Sequence, residues 1–147
     1  MILIAHRGNF NGSNPHQENK LTYIEQAISH GYEVEIDVRM YKNKIYTGHD
    51  KPLDLINSSW LKKFHNKLWI HCKDVATLKY FGNLNQYNYF WHENDMFTIT
   101  SNGFILSHVD NNINELSGQF IKINFDNKKI NGNFIGILSD NLIKYKS

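Results

Sequence analysis

At 147 residues, 41% hydrophobic and 20% charged, the chain is long enough for one domain with a real core, expected to span residues 1–147, and too short for two. A formal net charge of +2, with no Lys/Arg run interleaved with aromatics, argues against an electrostatic grip on nucleic acid, and the single cysteine, Cys72, excludes an intrachain disulfide framework or a multi-cysteine metal site. No basic leader opens the sequence and no run of about 18 apolar residues occurs in it, so a cytoplasmic protein without stable membrane insertion is expected.

Met1 to Ala5 is apolar and without alternation, as in a strand covered on both faces, and it ends in His6, Arg7 and Gly8. Asn9 to Asn19 reads as a loop. A helix then begins near Glu18 and Asn19, carries Leu21, Ile24, Ala27 and Ile28 at three-and-four spacing, and stops at Gly31. From Glu33 the sequence EVEIDV alternates acids with β-branched residues, which places Glu33, Glu35 and Asp37 on one face of a strand and Val34, Ile36 and Val38 on the other. Strand, helix and strand in this order predict a βαβ unit. A polar turn at Lys42 to Lys44 leads to a further strand-like run, Ile45 to Gly48, followed by His49 and Asp50. A short helix is expected within Leu53 to Phe64, a strand at Leu68 to Cys72, and a helix capped by Asp74 and running to about Phe81.

Beyond Gly82 helical patterning is missing. Strand-like runs arrive closer together, at Tyr87 to His92, Phe104 to His108, Phe120 to Phe125 and Phe134 to Leu138. The link from Asp126 to Asn133 is too short for a helical crossover, and a hairpin turning near Asn131 and Gly132 is the local alternative. This reading gives eight strands, each ending in a His or an acid: His6, Asp37, His49, His71, His92, His108, Asp126 and Asp140. Five of the eight histidines lie at these ends. In a (β/α)8 barrel the active site is built at the C-terminal ends of the strands. The expected fold is therefore α/β, a reduced TIM-like (β/α)8 barrel whose helices are missing or shortened in the second half.

Taken together, IAHRG at Ile4 to Gly8, EN at Glu18 and Asn19, EIDV at Glu35 to Val38 and HD at His49 and Asp50 resemble the glycerophosphodiester phosphodiesterase family, within the wider group of phosphatidylinositol-phospholipase-C-like barrels. IHCK at Ile70 to Lys73 and GILSD at Gly136 to Asp140 are fainter matches to later strands of that family. The resemblance implies that His6 and His49 are acid/base groups, that Arg7 and Lys73 bind phosphate, and that Glu35 and Asp37 hold a divalent cation, Mg²⁺ or Ca²⁺. His71 stands where the family has a third acidic ligand. Imidazole in place of carboxylate suits Mn²⁺ or Zn²⁺ better.

The residues alone lead to similar chemistry. Phosphodiester hydrolysis near neutral pH needs charge stabilisation on the phosphoryl oxygens, an activated nucleophile and a proton for the leaving oxygen. Arg7 and Lys73 can supply the first, and His6 and His49 the proton transfers. Arg7 as a core ion-pair partner of Glu35 or Asp37 is the bland alternative to phosphate binding. Glu33, nearer the strand start, is read as structural. His92, Glu93, Asp95, His108 and Asp110 are candidates for shaping the rim, and Trp91 is the aromatic to watch beside them. The expected function is metal-dependent hydrolysis of a glycerophosphodiester or a related small polyol or sugar phosphodiester, a step of lipid metabolism. The rival is a catalytically silent barrel that binds a phosphorylated ligand or a partner protein, and a phospholipase-like enzyme at a membrane surface lacks an insertion loop. A barrel short of helices would also expose apolar sheet that a homodimer would cover.

Overall fold

The computed structural model describes residues 1–110 and 118–146. In β1 (Ile2–His6), Ile4 and Ala5 are fully buried on opposite faces, as the unbroken apolar run predicts. The first helix, α1 (Leu21–Ser29), buries Ile24 and Ala27. It starts later than Glu18 and Asn19, because the Asn19 side chain is committed elsewhere and its backbone is left-handed at φ 63°. The Leu21 N–H is capped from a distance by Asp54 Oδ2 at 2.9 Å. Then β2 (Glu33–Tyr41) sends Val34, Ile36 and Val38 into the core shared with the helices.

The run after Lys42 is a correction. β3 (Lys44–Thr47) folds back antiparallel on β2 through Lys42 and Asn43, both at positive φ as a two-residue hairpin turn requires. It is an arm of a hairpin and not a strand of the ring. The next elements are α2 (Ser58–Phe64), β4 (Leu68–Cys72) and α3 (Val75–Gly82). Side chains of Asn57 and Asp74 accept the Trp60 and Thr77 amides and so cap α2 and α3.

Five short strands complete the chain: β5 (Asn88–Phe90), β6 (Phe97–Ile99), β7 (Ile105–His108), β8 (Phe120–Ile123) and β9 (Gly136–Ser139). The sheet runs β5-β4-β2-β1-β9-β8-β7-β6, with β3 attached to β2. Neighbours along this path are parallel except β6 and β7. β6, which sequence reasoning overlooked, is three residues long with only Thr98 buried, too brief for a periodicity signal. A hairpin at Asn131 and Gly132 is ruled out, since β8 and β9 are parallel. Their connection instead lays Ile130 and Phe134 against the outer core, where a crossover helix would otherwise pack.

The result is a mixed α/β fold with a nearly closed, eight-stranded barrel-like sheet and three α-helices among the described residues, all at or before Gly82. The ends of the path, β5 and β6, do not pair as strands. Ser101 bridges the gap, its N–H donating to the Tyr89 carbonyl at 2.8 Å and its hydroxyl accepting the Tyr89 N–H at 2.9 Å. Two apolar clusters follow from the closure. One lies between sheet and helices, and the other, with Ile4, Trp69, Phe90, Leu106, Ile121 and Leu138, fills the interior. Among the described residues no helix is long and apolar enough to cross a membrane.

Candidate functional site

Period-two alternation carries the inward row of four strands from an apolar residue at mid-sheet to a polar one at the C-terminal end. Ile4 is followed by His6, Trp69 by His71, Leu106 by His108 and Leu138 by Asp140. On β2 the inward row is acidic throughout. Glu33 accepts the Trp69 indole N–H at 2.6 Å deep in the row, the structural role expected of it. Pairing then fixes the levels, because Glu35 is opposite His6 on one side and Trp69 on the other, and Asp37 is opposite His71.

Glu35 is 3% exposed and Asp37 0%, so both carboxylates are out of water and must be compensated. Asn19 clamps Asp37 twice, donating its side-chain N–H to Oδ2 at 2.9 Å and accepting the Asp37 backbone N–H at 3.0 Å. Arg7 Nε lies 2.8 Å from Asp37 Oδ2 as an ion pair off hydrogen-bonding alignment, and Arg7 Nη1 donates to Glu18 at 3.1 Å. Arg7 is thus both an ion-pair partner of Asp37 and a lining residue of the site. Lys73 Nζ stands 3.9 Å from Asp37 Oδ1, with its backbone N–H held by the Val38 carbonyl. Burial works to raise the Asp37 carboxyl, but His71, Arg7 and Asn19 outweigh it and hold the group far below the ordinary carboxylate range.

His71 is placed by both ring nitrogens. Nε2–H donates to the His92 carbonyl at 3.2 Å, which turns Nδ1 towards Glu35 Oε1 at 3.5 Å and Asp37 Oδ1 at 3.3 Å. Burial disfavours the imidazolium, yet the two facing carboxylates win and its pKa is raised to about 9. When no cation is bound, the imidazolium offsets one of the two negative charges and Arg7 the other. The same geometry fits a cation. Donor atoms of Glu35, Asp37 and His71 lie within 4.8 Å of one another, and ligand atoms around a cation held at about 2.0–2.6 Å span about that range. Asp37 Oδ1 is buried without a hydrogen bond, and the His71 Nε2–H bond to a backbone carbonyl is the outer support a ligating histidine ordinarily has.

His6 sits across the site from His71. Its Nδ1–H donates to Asp140 Oδ1 at 2.8 Å, which leaves Nε2 facing inward, 4.0 Å from Glu35 Oε2. Burial lowers the His6 pKa, and the bonded Asp140 and nearby Glu35 more than reverse this. Asp140 in turn accepts from Asn9 at 2.8 Å, whose side chain also donates to Glu18 at 2.8 Å. Asp140 and Asn9 were not among the site residues expected from sequence. Asp140 carried a signal as the acid closing the last strand, but its partner lies 134 residues away. Glu18 and Asn19, quoted above only as motif residues, are the supports of Arg7 and Asp37.

His49 is placed differently from the other candidates. It follows the hairpin arm β3, is 41% exposed in its side chain, and pairs through Nδ1 with Asp50 at 2.8 Å. Its carbonyl accepts from Arg39, and the preceding Gly48 N–H donates to the Asp37 carbonyl. Gly48, at φ 136°, has no room for a Cβ, which would lie 2.0 Å from the Lys51 carbonyl oxygen. This loop brings His49 to an open polar groove beside Arg7, Glu18 and Asn19, while His6, Glu35 and His71 line a cavity inside the sheet end. Arg7 lines both. His92 and His108 also line the inner cavity, and Trp91 packs on the outer core. A separate groove along Phe10, Tyr23, His30 and Tyr32 holds none of the candidate groups.

Comparison with protein-family models, with characterised proteins and with solved structures found no match to this chain.

Proposed function

We propose that this chain is a metal-dependent phosphodiesterase of the glycerophosphodiester phosphodiesterase kind on a reduced (β/α)8 barrel, acting in the cytoplasm on a small polyol or sugar phosphodiester. One observation carries the reading: residues from β1, β2, β4 and β9 meet at one end of the sheet as a His6–Asp140 dyad, the buried pair Glu35 and Asp37, the cations Arg7 and Lys73, and His71. A structural ion-pair network alone does not call for a buried carboxylate oxygen without a hydrogen bond beside an oriented imidazole. The ring order of the strands, following the chain, is in keeping with such a barrel.

In this reading Asp140 holds the Nδ1–H of His6, so that Nε2 faces the cavity side to protonate the leaving oxygen, while His49 on the far side of Arg7 takes the proton of a substrate hydroxyl next to the phosphate. That hydroxyl attacks phosphorus, and the bond to the leaving oxygen breaks as His6 protonates it. The cyclic diester so formed is opened by water with the histidine roles reversed. Arg7 and Lys73 carry charge against the phosphoryl oxygens. A divalent cation held by Glu35, Asp37 and His71 would add to that neutralisation.

Purified protein is to be given a panel of glycerophosphodiesters and sugar phosphodiesters with chelator and with Mg²⁺, Ca²⁺, Mn²⁺ or Zn²⁺. Turnover is expected with metal only, and it is expected to be lost in His6→Ala and Glu35→Gln. Turnover that survives either substitution overturns the assignment. Ca²⁺ affinity unchanged by His71→Ala removes His71 from the ligand set. The silent-barrel reading draws on Arg7 and His71, which already answer the acid pair within the protein. Phosphate-ester binding without turnover under any metal would favour it. A homodimer covering the exposed Phe97 and Ile99 belongs to the same proposal, and elution at a monomeric volume counts against it.

A further inference from the structure

We infer that the phosphodiester accepted here has unlike arms, with a small apolar arm of about ring size seated inside the barrel mouth and the polar arm outside it; this deepens the phosphodiesterase reading and rests on it. The inner cavity has a volume of about 140 Å³. An apolar cavity of roughly 150 Å³ stays dry and takes up benzene. One end of the cavity is His6, Arg7, Glu35 and His71, and its wall is Phe90, Met96, Leu106, Ile123, Phe125 and Leu138. Phe125 lies against the His6 ring with centroids 4.5 Å apart, and Phe90 stacks on His71 at 4.8 Å. An occupant of this space is therefore next to the reacting groups.

The wall offers little to a polyol. Among the described residues its one hydroxyl, on Thr98, is engaged with His92 Nδ1, which leaves the His92 and His108 rings as the polar groups away from the phosphate end. Hydroxyls seated against Leu106, Ile123 and Phe125 would give up water without replacement. The opposite side of Arg7 has the reverse character, since the open groove there is lined by Glu18, Asn19, His49, Asp50 and Lys51. A phosphate at Arg7 would then direct its hydroxyl-bearing arm to that groove and its apolar arm inward.

Calorimetric titration with inorganic phosphate, glycerol 3-phosphate and phenyl phosphate, with chelator and again with Mg²⁺, tests this. Phenyl phosphate should bind about tenfold tighter than inorganic phosphate. The ratio should fall towards one in Phe125→Ala and recover in Phe125→Leu. Phe125 is 39% exposed, so folding tolerates both changes. In the unsubstituted protein, phenyl protons should give nuclear Overhauser contacts to Leu106 and Phe90. Phosphate binding with no gain from the phenyl group, or a gain that Phe125→Ala leaves intact with no contacts to Leu106, overturns the inference alone. Failure of all three ligands to bind overturns it together with the phosphodiesterase reading.

Discussion

The two halves of the sheet solve the same burial problem by different means. From β1 to β5 the outward face is covered by α1, α2 and α3, and Val34, Ile36, Val38 and Ile70 are all 0% exposed beneath them. From β6 to β9 no α-helix covers the outer face among the described residues, and the outward Phe97 and Ile99 are 39% and 69% exposed. The inward face is alike in both, with Trp69 and Ile4 meeting Leu106 and Ile121 in one interior cluster. The chemistry divides along the same line. The helix-backed half supplies the acid pair, His71, Arg7 and Lys73, whereas the helix-poor half supplies Asp140 and, apart from Phe90, the apolar wall. A rigid scaffold under the charged groups and a lighter one under the pocket wall is economical, since misplacing a buried charge costs far more than misplacing a methyl group.

The sharpest test of that division is His6, which belongs to the first half and takes its orientation from the second. His6→Ala should lower kcat by about 10²–10⁴-fold in a steady-state assay. Asp140→Asn should cost less, about ten- to a hundredfold, with thermal stability close to that of the parent. An equal loss in stability and activity would make Asp140 a structural residue. Next in size is Ile36→Ala, which opens a cavity beneath the helices and should destabilise by about 2–5 kcal/mol in denaturant unfolding. Ile99→Ala on the bare face should stay within about 0.5 kcal/mol. Equal costs at the two positions would show that something covers the second half in solution.

A loss smaller than that of Ile36→Ala concerns the cap of α3. Asp74 accepts the Thr77 N–H at 2.7 Å and the Met40 N–H at 2.9 Å, so it ties the helix to β2, and Asp74→Ala should cost about 1 kcal/mol. Burial works to raise its carboxyl pKa, but these backbone bonds prevail and hold it below the ordinary aspartate value. A carboxylate favoured in the folded state stabilises above its unfolded pKa and stops doing so as pH falls through the folded one. The difference between parent and variant should therefore be constant above about pH 5 and shrink in acid. A difference that grows in acid would contradict the cap.

Much of the first half could be read directly because its signals are local. EVEIDV alternates, Asp74 precedes a helix by one residue, and the apolar run before His6 has no polar face. The inward acids and histidines at the strand ends followed from the same alternation. The misreadings arose where a neighbour decides. Ile45 to Gly48 has the composition of a ring strand, and only pairing with β2 makes it a hairpin arm that puts His49 in an outer groove. The start of α1 moved because Asn19 serves Asp37, and a turn expected at Asn131 became a parallel return.

Sequence by itself determined which side chains share a strand face, since side-chain direction along a strand is set by covalent geometry and needs no partner. It also put two acids on one strand face, a pair that calls for cations once it is buried. Tertiary structure alone decided which cations those are, that His6 is held by Asp140 across 134 positions, and that His71 turns Nδ1 to the acids because the His92 carbonyl holds its other nitrogen. The His6–Asp140 contact arises because the last strand of the chain pairs with the first, and a linear sequence has no local energy term for so long-range a pairing.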